Sequence, residues 1–298
     1  MKIGLAGTGK MGAAMARRLL ASGQSVVVWN RNAARAQPLL DAGASWAASP
    51  RALAQACDTI ITMLTDEAAI DAVYGGIEGL LTAEVAGRLF IDMSTVQPAK
   101  PQALGAQVER AGARFLECPV GGSVGPAAEG KLLGFVGGHA DDLARARELL
   151  GLLCRRVEHV GALGAGATMK LAINLPLMVY WQTLSEALSL LQPLGLDPAR
   201  VIDILADTSG GPNMLKARGP MIAKALAGNA DGSVSVDLAT MSKDLRAMLA
   251  QGALGNVRLP LAALTLQSLE QASAQGLAAA DCTQLPVWWL KQGGRVEG

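Results

Sequence analysis

The chain has 298 residues, a formal net charge of +1 and a charged fraction of 17%. That length holds one large domain or two ordinary ones around a sizeable core, while the near-neutral charge excludes the basic footprint needed to neutralise a nucleic-acid backbone. No stretch of about 18 residues is free of polar groups, and the first strand pattern has no charged leader before it, so no membrane partner and a cytoplasmic location are expected.

Apolar runs at 2–6, 25–29, 59–64, 88–93, 114–119 and 132–137 alternate with Ala- and Leu-rich stretches of helical period. This alternation predicts an α/β, Rossmann-type, doubly wound and mostly parallel sheet. The first run leads into Gly7-Thr8-Gly9-Lys10-Met11-Gly12 and an amphipathic stretch. In a dinucleotide loop of this spacing Gly7 makes the tight turn, Gly9 lets the backbone approach the pyrophosphate and Gly12 lets helix and strand pack closely. The helix N-terminus then faces the negative charge.

The second run ends in Asn30-Arg31-Asn32, where an NAD-preferring protein places a carboxylate for the ribose hydroxyls. Arg31 offers instead a planar fork of donors for a 2′-phosphate, with Asn30 and Asn32 adding hydrogen bonds, so NADP is the expected cofactor and NADPH is preferred to NADH. The next two runs end near Met63-Leu64 and Ser94-Thr95, at strand ends that line the crevice of such a fold. Met63 and Leu64 would form an apolar wall; Ser94 and Thr95 would either donate to the nicotinamide side or cap a helix.

The fifth run closes on Cys118-Pro119-Val120-Gly121-Gly122-Ser123. Its small residues expose backbone N–H groups that suit a substrate carboxylate, a simple tight connection being the other reading. Cys118 has no histidine near it in sequence to activate a thiolate, which favours buried packing. Cys57, Cys118, Cys154 and Cys282 form no Cys-x-x-Cys pair, and only His139 and His159 are available beside them, so neither a disulfide framework nor a metal site is expected.

From about Leu163 only helical segments follow: a long one to about Leu194 in which Pro176 predicts a kink, then 198–206, 212–226, 236–251, 260–275 and 282–291. The expected division is a dinucleotide-binding domain, 1–162, and an all-α C-terminal domain, 163–298, joined by a long interdomain helix of about 165–194. That helix has more apolar surface than one small domain covers, which predicts a homodimer or homotetramer. Lys170 and Asn174 stand four residues apart near its start. On a helix they share a face, where an amine and an amide can hold and protonate a small oxygen-bearing substrate.

In this order the segments resemble the β-hydroxyacid dehydrogenase family, which includes 3-hydroxyisobutyrate dehydrogenases and reductases of tartronate, glyoxylic and succinic semialdehydes, with NADP binding of the 6-phosphogluconate dehydrogenase type. The resemblance covers essentially the whole chain. It rests on Gly4 to Gly12, on Pro119-Val120-Gly121-Gly122-Ser123-Val124-Gly125-Pro126, on the segment from Gly161 through Lys170 to Asn174, and on Lys243-Asp244-Leu245. It implies that Lys170 is the general acid protonating the carbonyl oxygen as hydride arrives, and the base in reverse. A lysine in that role near neutral pH needs a lowered proton affinity, which partial burial supplies.

The resemblance further implies that Asn174 orients substrate or lysine, that Gly121, Gly122 and Ser123 hold the carboxylate, and that Lys243 reaches the cofactor from the helical domain. One departure is plain: the family commonly has Pro-Val-Ser-Gly-Gly, and Gly121 stands here where that serine would be. Ser123 would replace the lost hydroxyl, or the pocket takes a larger or less polar substrate. Trp288 and Trp289 fit helix packing at a seam, or an aromatic reaching the site mouth. The expected activity is NADPH-dependent reduction of a small aldehyde or keto acid, run reversibly. An imine reductase of the same architecture is the alternative that Gly121 leaves open and Lys170 argues against. A catalytically silent NADPH-binding scaffold is the second alternative.

Overall fold

The computed structural model describes residues 2–293, so the few residues that bound both expected domains at the chain ends lie outside the described residues. The chain divides into two compact units, Met1–Leu171 and Ala172–Gly298.

The first unit is built on nine strands: β1 (Lys2–Ala6), β2 (Ser25–Trp29), β3 (Ser45–Trp46), β4 (Thr59–Thr62), β5 (Leu89–Asp92), β6 (Arg114–Glu117), β7 (Val120–Gly121), β8 (Leu132–Gly138) and β9 (Cys154–Gly161). They form one sheet in the order β3-β2-β1-β4-β5-β6-β8-β7, with β9 also paired to β8. Six strands from β3 to β6 run parallel, and β8 is antiparallel to β6 and β7. Strand order reverses between β1 and β4, the switch point at which ligands bind in open sheets of this kind.

Alternation of side chains across the strands fills two apolar layers. Ile3, Leu5, Val26 and Val28 join residues such as Met15 and Leu19 of helix Lys10–Ala21 and Leu149 and Leu150 of helix Ala140–Leu153. Ala6, Val27 and Ile60 join Leu53, Tyr74 and Leu104 of helices Pro50–Ala56, Glu67–Gly75 and Ala99–Arg110. Both faces of the sheet are therefore covered, which is why its central strands are continuous apolar runs.

Three strands escape the sequence pattern. β3 and β7 are two residues each, shorter than any periodicity can register. β9 has the sequence CRRVEHVG and leaves Arg155, Arg156 and His159 exposed; charged residues on a strand with one partner blunt an exposed edge while masking its apolar signal.

After Gly161 the described residues contain no strand and one isolated bridge, Asp237 to Asp281. The helix Ala165–Leu191 is assigned as one element through Pro176, and the boundary between the units falls within it, after Leu171. In the second unit aspartates begin two helices: Asp197 accepts from Ala199 and Arg200 N–H at 3.0 and 3.1 Å before Pro198–Ala206, and Asp237 from Thr240 N–H at 2.7 Å before Leu238–Leu254. The helices Asn213–Leu226, Pro260–Ala272 and Gln284–Trp288 complete the unit. No helix among the described residues is long and apolar enough to cross a membrane.

Candidate cofactor and catalytic site

The glycine loop lies between β1 and helix Lys10–Ala21, as its spacing requires. Gly7 has φ +101° and its N–H donates to Trp29 carbonyl at 2.9 Å, so the chain turns sharply at the strand end. A Cβ on Gly12 would overlap the Gly7 carbonyl oxygen, whereas one on Gly9 would meet open space. Substituting Gly12 with Ala is therefore expected to displace the loop and weaken NADPH binding by at least about tenfold, read by quenching of intrinsic fluorescence. Unchanged affinity would show that the loop tolerates the shift.

A cleft of about 540 Å³ opens beside this loop, and its lining includes Gly7, Gly9, Arg31, Arg35, Met63 and Leu64. Asn30 and Asn32 line it as well, but their amides also build the loop: Asn30 Oδ1 accepts from Thr8 N–H at 3.1 Å, Asn30 Nδ2 donates to Asn32 carbonyl at 2.8 Å, and Asn32 Oδ1 accepts from Ala34 N–H at 3.1 Å. Lys10 is exposed on the first helical turn and Met11 packs against the core. Thr8 is buried with a hydroxyl oxygen that has no partner. An orphaned hydroxyl, open space at Gly9 and two guanidinium groups in the cleft lining fit a phosphorylated dinucleotide. Glu78 also lines the cleft as a carboxylate.

Ser94 is committed elsewhere. Its buried hydroxyl donates to Asp92 at 2.7 Å and accepts from Leu64 N–H at 3.0 Å, while Thr62 also donates to Asp92 at 2.7 Å. Burial pushes the Asp92 carboxyl up from its usual value, against these hydrogen bonds. The network ties the ends of β4 and β5 together and so sets the position of Leu64. The capping alternative for Ser94 and Thr95 is not what the fold does, because the next helix begins at Ala99 after Pro98; Thr95 is half-buried.

In the glycine-rich turn, Val120 and Gly121 pair with β8, while Gly122 and Ser123 are exposed before the short helix Val124–Ala128. Gly122 has φ +123°, a conformation that favours glycine. Cys118 is fully buried and burial pushes its thiol well above the usual range, which leaves it as packing.

Lys170 lies in the second turn of helix Ala165–Leu191 and is 9% exposed; Asn174, one turn on, is half-buried. The approach to this helix is held by Gln102, whose amide donates to Leu163 carbonyl at 3.1 Å. Glu117, at the end of β6, accepts from the N–H groups of Gly164 at 2.5 Å, Gly166 at 2.9 Å and Ala167 at 3.0 Å. It is 2% exposed, and burial raises its carboxyl to about 7 while those three donors pull the other way. Sequence reasoning missed this residue, although an acid ending the apolar run Arg114-Phe115-Leu116 was a signal. Arg35 was also missed; a four-residue 3₁₀ turn after β2 brings it to the cleft.

Lys243, in the second unit, is half-buried and lies 3.1 Å from Asp244. In the same unit Trp288 is buried, stacks edge-on against Trp289 and donates to Gln275 at 2.8 Å, so its indole serves packing.

Two family models match the chain: residues 2–161 match the NAD-binding domain of 6-phosphogluconate dehydrogenase, and residues 164–288 the NAD-binding domain of NADP-dependent 3-hydroxyisobutyrate dehydrogenase. The chain is 31% identical to glyoxylate/succinic semialdehyde reductase 2 of Arabidopsis thaliana, a chloroplastic protein, over 94% of this chain and 77% of that one. It is 39% identical to the mitochondrial 3-hydroxyisobutyrate dehydrogenase of Homo sapiens over 70% of this chain and 62% of that protein's length. Among solved structures, Psf3 in complex with NADP+ and 2-OPP matches at 28% identity with a TM-score of 0.86, covering 96% of this chain and 99% of that one.

Proposed function

Because the chain belongs to the β-hydroxyacid dehydrogenase family and is therefore a nicotinamide-dependent dehydrogenase or reductase, we propose that it interconverts a small 3-hydroxyacid with its semialdehyde or keto acid, using NADPH in preference to NADH and Lys170 as general acid and base. The observation that carries this reading is the burial of Lys170 in the second turn of a helix whose entry is pinned by five hydrogen bonds from Glu117, Gln102 and Thr168. A charged amine held largely out of water needs a task that repays its desolvation.

When bound, the reduced nicotinamide supplies the hydride that reaches the substrate's carbonyl carbon. Lys170 donates its proton to the carbonyl oxygen, which becomes the hydroxyl, and recovers a proton from the hydroxyl in the reverse direction. The N–H groups of Gly121 and Gly122, with the Ser123 hydroxyl, hold the substrate carboxylate, and Asn174 orients substrate or lysine. The loop from Gly7 through Thr8, Gly9, Lys10 and Met11 to Gly12 holds the pyrophosphate. Arg31, with Arg35 and the loop-building Asn30 and Asn32, takes the 2′-phosphate; Met63, Leu64 and Thr95 serve the nicotinamide end. In the second unit Leu190, Leu254, Leu261 and Leu264 are exposed, at 82, 73, 62 and 59%. We assign them to an interface between copies, in a homodimer or homotetramer.

NADPH oxidation measured on glyoxylate, succinic semialdehyde, tartronate semialdehyde and a cyclic imine tests this function. Turnover of semialdehydes with little on the imine is expected; turnover of the imine alone would overturn it in favour of an imine reductase. Gly121→Ser, which restores the hydroxyl common in the family, is expected to lower KM for small semialdehydes about five- to tenfold with kcat changed less than about threefold, the worth of one hydrogen bond to a charged group. A rise in KM on the same panel would show instead that the pocket is built for a bulkier substrate.

A further inference from the structure

We propose that Glu117 is the positioning residue for Lys170: its carboxylate fixes the first turn of helix Ala165–Leu191 and, as a negative charge beside that turn, holds the lysine amine in its proton-donating form. The proposal rests on the assignment of Lys170 as general acid.

Three observations support it. The carboxylate uses both oxygens to accept from the N–H groups of Gly164, Gly166 and Ala167 at the helix start, so this turn cannot rotate or slide without losing them. The cradle is made for this side chain: a Cβ added at Gly137 would run into the Glu117 carboxylate, and one at Gly166 would overlap the Phe135 carbonyl and crowd the same carboxylate. Finally, Lys170 is the first charged residue of the helix and the only one before Glu186. It sits three residues beyond Ala167, the last of the capped N–H groups, a rise of about 4.5 Å, and long helical side chains lean back toward the N-terminus.

Of the other groups that face Glu117, Asp92 is the charged one, and it raises the Glu117 carboxyl further. β5 presents Asp92 in register with it, itself a buried carboxyl pushed up and bonded to Thr62 and Ser94. β8 presents Gly137 and Gly138, which carry no charge, and the adjoining Cys118 is a thiol raised well out of range. The helix Ala99–Arg110 contributes the neutral Gln102 to the same helix entry, and its Lys100 is paired with Asp71.

An uncompensated helix N-terminus disfavours a nearby ammonium, and an ionised carboxylate there reverses that field. Reduction needs Lys170 protonated and fails as pH rises through its titration. Removing the carboxylate charge therefore moves the alkaline limb of kcat to lower pH. For Glu117→Gln, which retains the shape and loses the charge, the expected shift is roughly one pH unit, with the dissociation constant for NADPH within about twofold of wild type. Glu117→Asp retains the charge and is expected to keep the limb within about 0.3 unit of wild type. An equal fall in kcat for both variants with the limb unmoved would overturn the proposal.

A second readout needs no variant of Glu117. In ¹⁵N-lysine-labelled wild-type protein with no cofactor added, the Lys170 side-chain resonance, assigned by its loss in Lys170→Ala, is expected to show an inflection near pH 7 that reports Glu117. Its absence would overturn the electrostatic coupling even if Glu117→Gln failed to fold. Wild-type turnover in Lys170→Ala would instead sink the general-acid assignment, a result distinct from either Glu117 outcome.

Discussion

Lys170→Ala is expected to lower kcat for semialdehyde or keto-acid reduction by about 10²- to 10⁴-fold, the usual contribution of a positioned general acid. The proton it delivers has to arrive as the carbonyl oxygen gains charge, and water in a buried site is a poor substitute. The loss should fall on kcat and kcat/KM together, since the interaction grows in the transition state. Dissociation of NADPH, followed by fluorescence, should change less than about threefold, because the assigned phosphate contacts lie at the glycine loop and Arg31. The effect is also expected to differ from that of misfolding: alanine is the strongest helix former, and removing a buried amine relieves its desolvation. Retained turnover, on any substrate of the panel that the wild-type protein reduces, would refute the general-acid role.

Arg31→Ala is expected to raise the dissociation constant for NADPH about 10- to 100-fold and to leave that for NADH within about threefold, read by titration calorimetry with each cofactor. A charge-assisted, two-pronged contact to phosphate is worth about 1.5–3 kcal/mol, which is that range of affinity. Selectivity arises because only NADPH carries the 2′-phosphate. The second guanidinium in the cleft, on Arg35, sets the lower end of the range by retaining part of the field, and Arg31→Ala with Arg35→Ala should be weaker still. The preference is expected to be salt-sensitive, since both arginines are exposed. Equal weakening toward both cofactors would mean that Arg31 supports the loop and does not read the phosphate.

How much of this was legible depended on how far apart the partners are in sequence. β1, β2 and the helix Pro198–Ala206 occupy the residues that their apolar runs and proline marked. The glycine loop was equally clear, since a strand, a six-residue spacing and a helix are contiguous. Lys170 and Asn174 could be placed on one helix for the same reason. By contrast, Ser94 looked like a cap or a ligand and turned out to bridge Asp92 to a backbone N–H 30 residues away. Asn30 looked like a phosphate ligand and is also the peg that holds Thr8 across 22 residues. Glu117 was overlooked because its three donors lie 47 to 50 residues further along the chain.

The sequence by itself determined the alternation of strand and helix, the dinucleotide loop and the change to helices alone near residue 163, since each of these depends on spacing within a few residues. Only the tertiary structure decided which polar groups are committed to holding the fold. Parallel strands bring distant segments into register, and a buried hydroxyl, amide or carboxylate must then find its hydrogen bonds wherever that register puts them. Glu117 under the helix of Lys170, Asp92 beneath Ser94, and Arg35 at the cleft of Arg31 are products of that requirement.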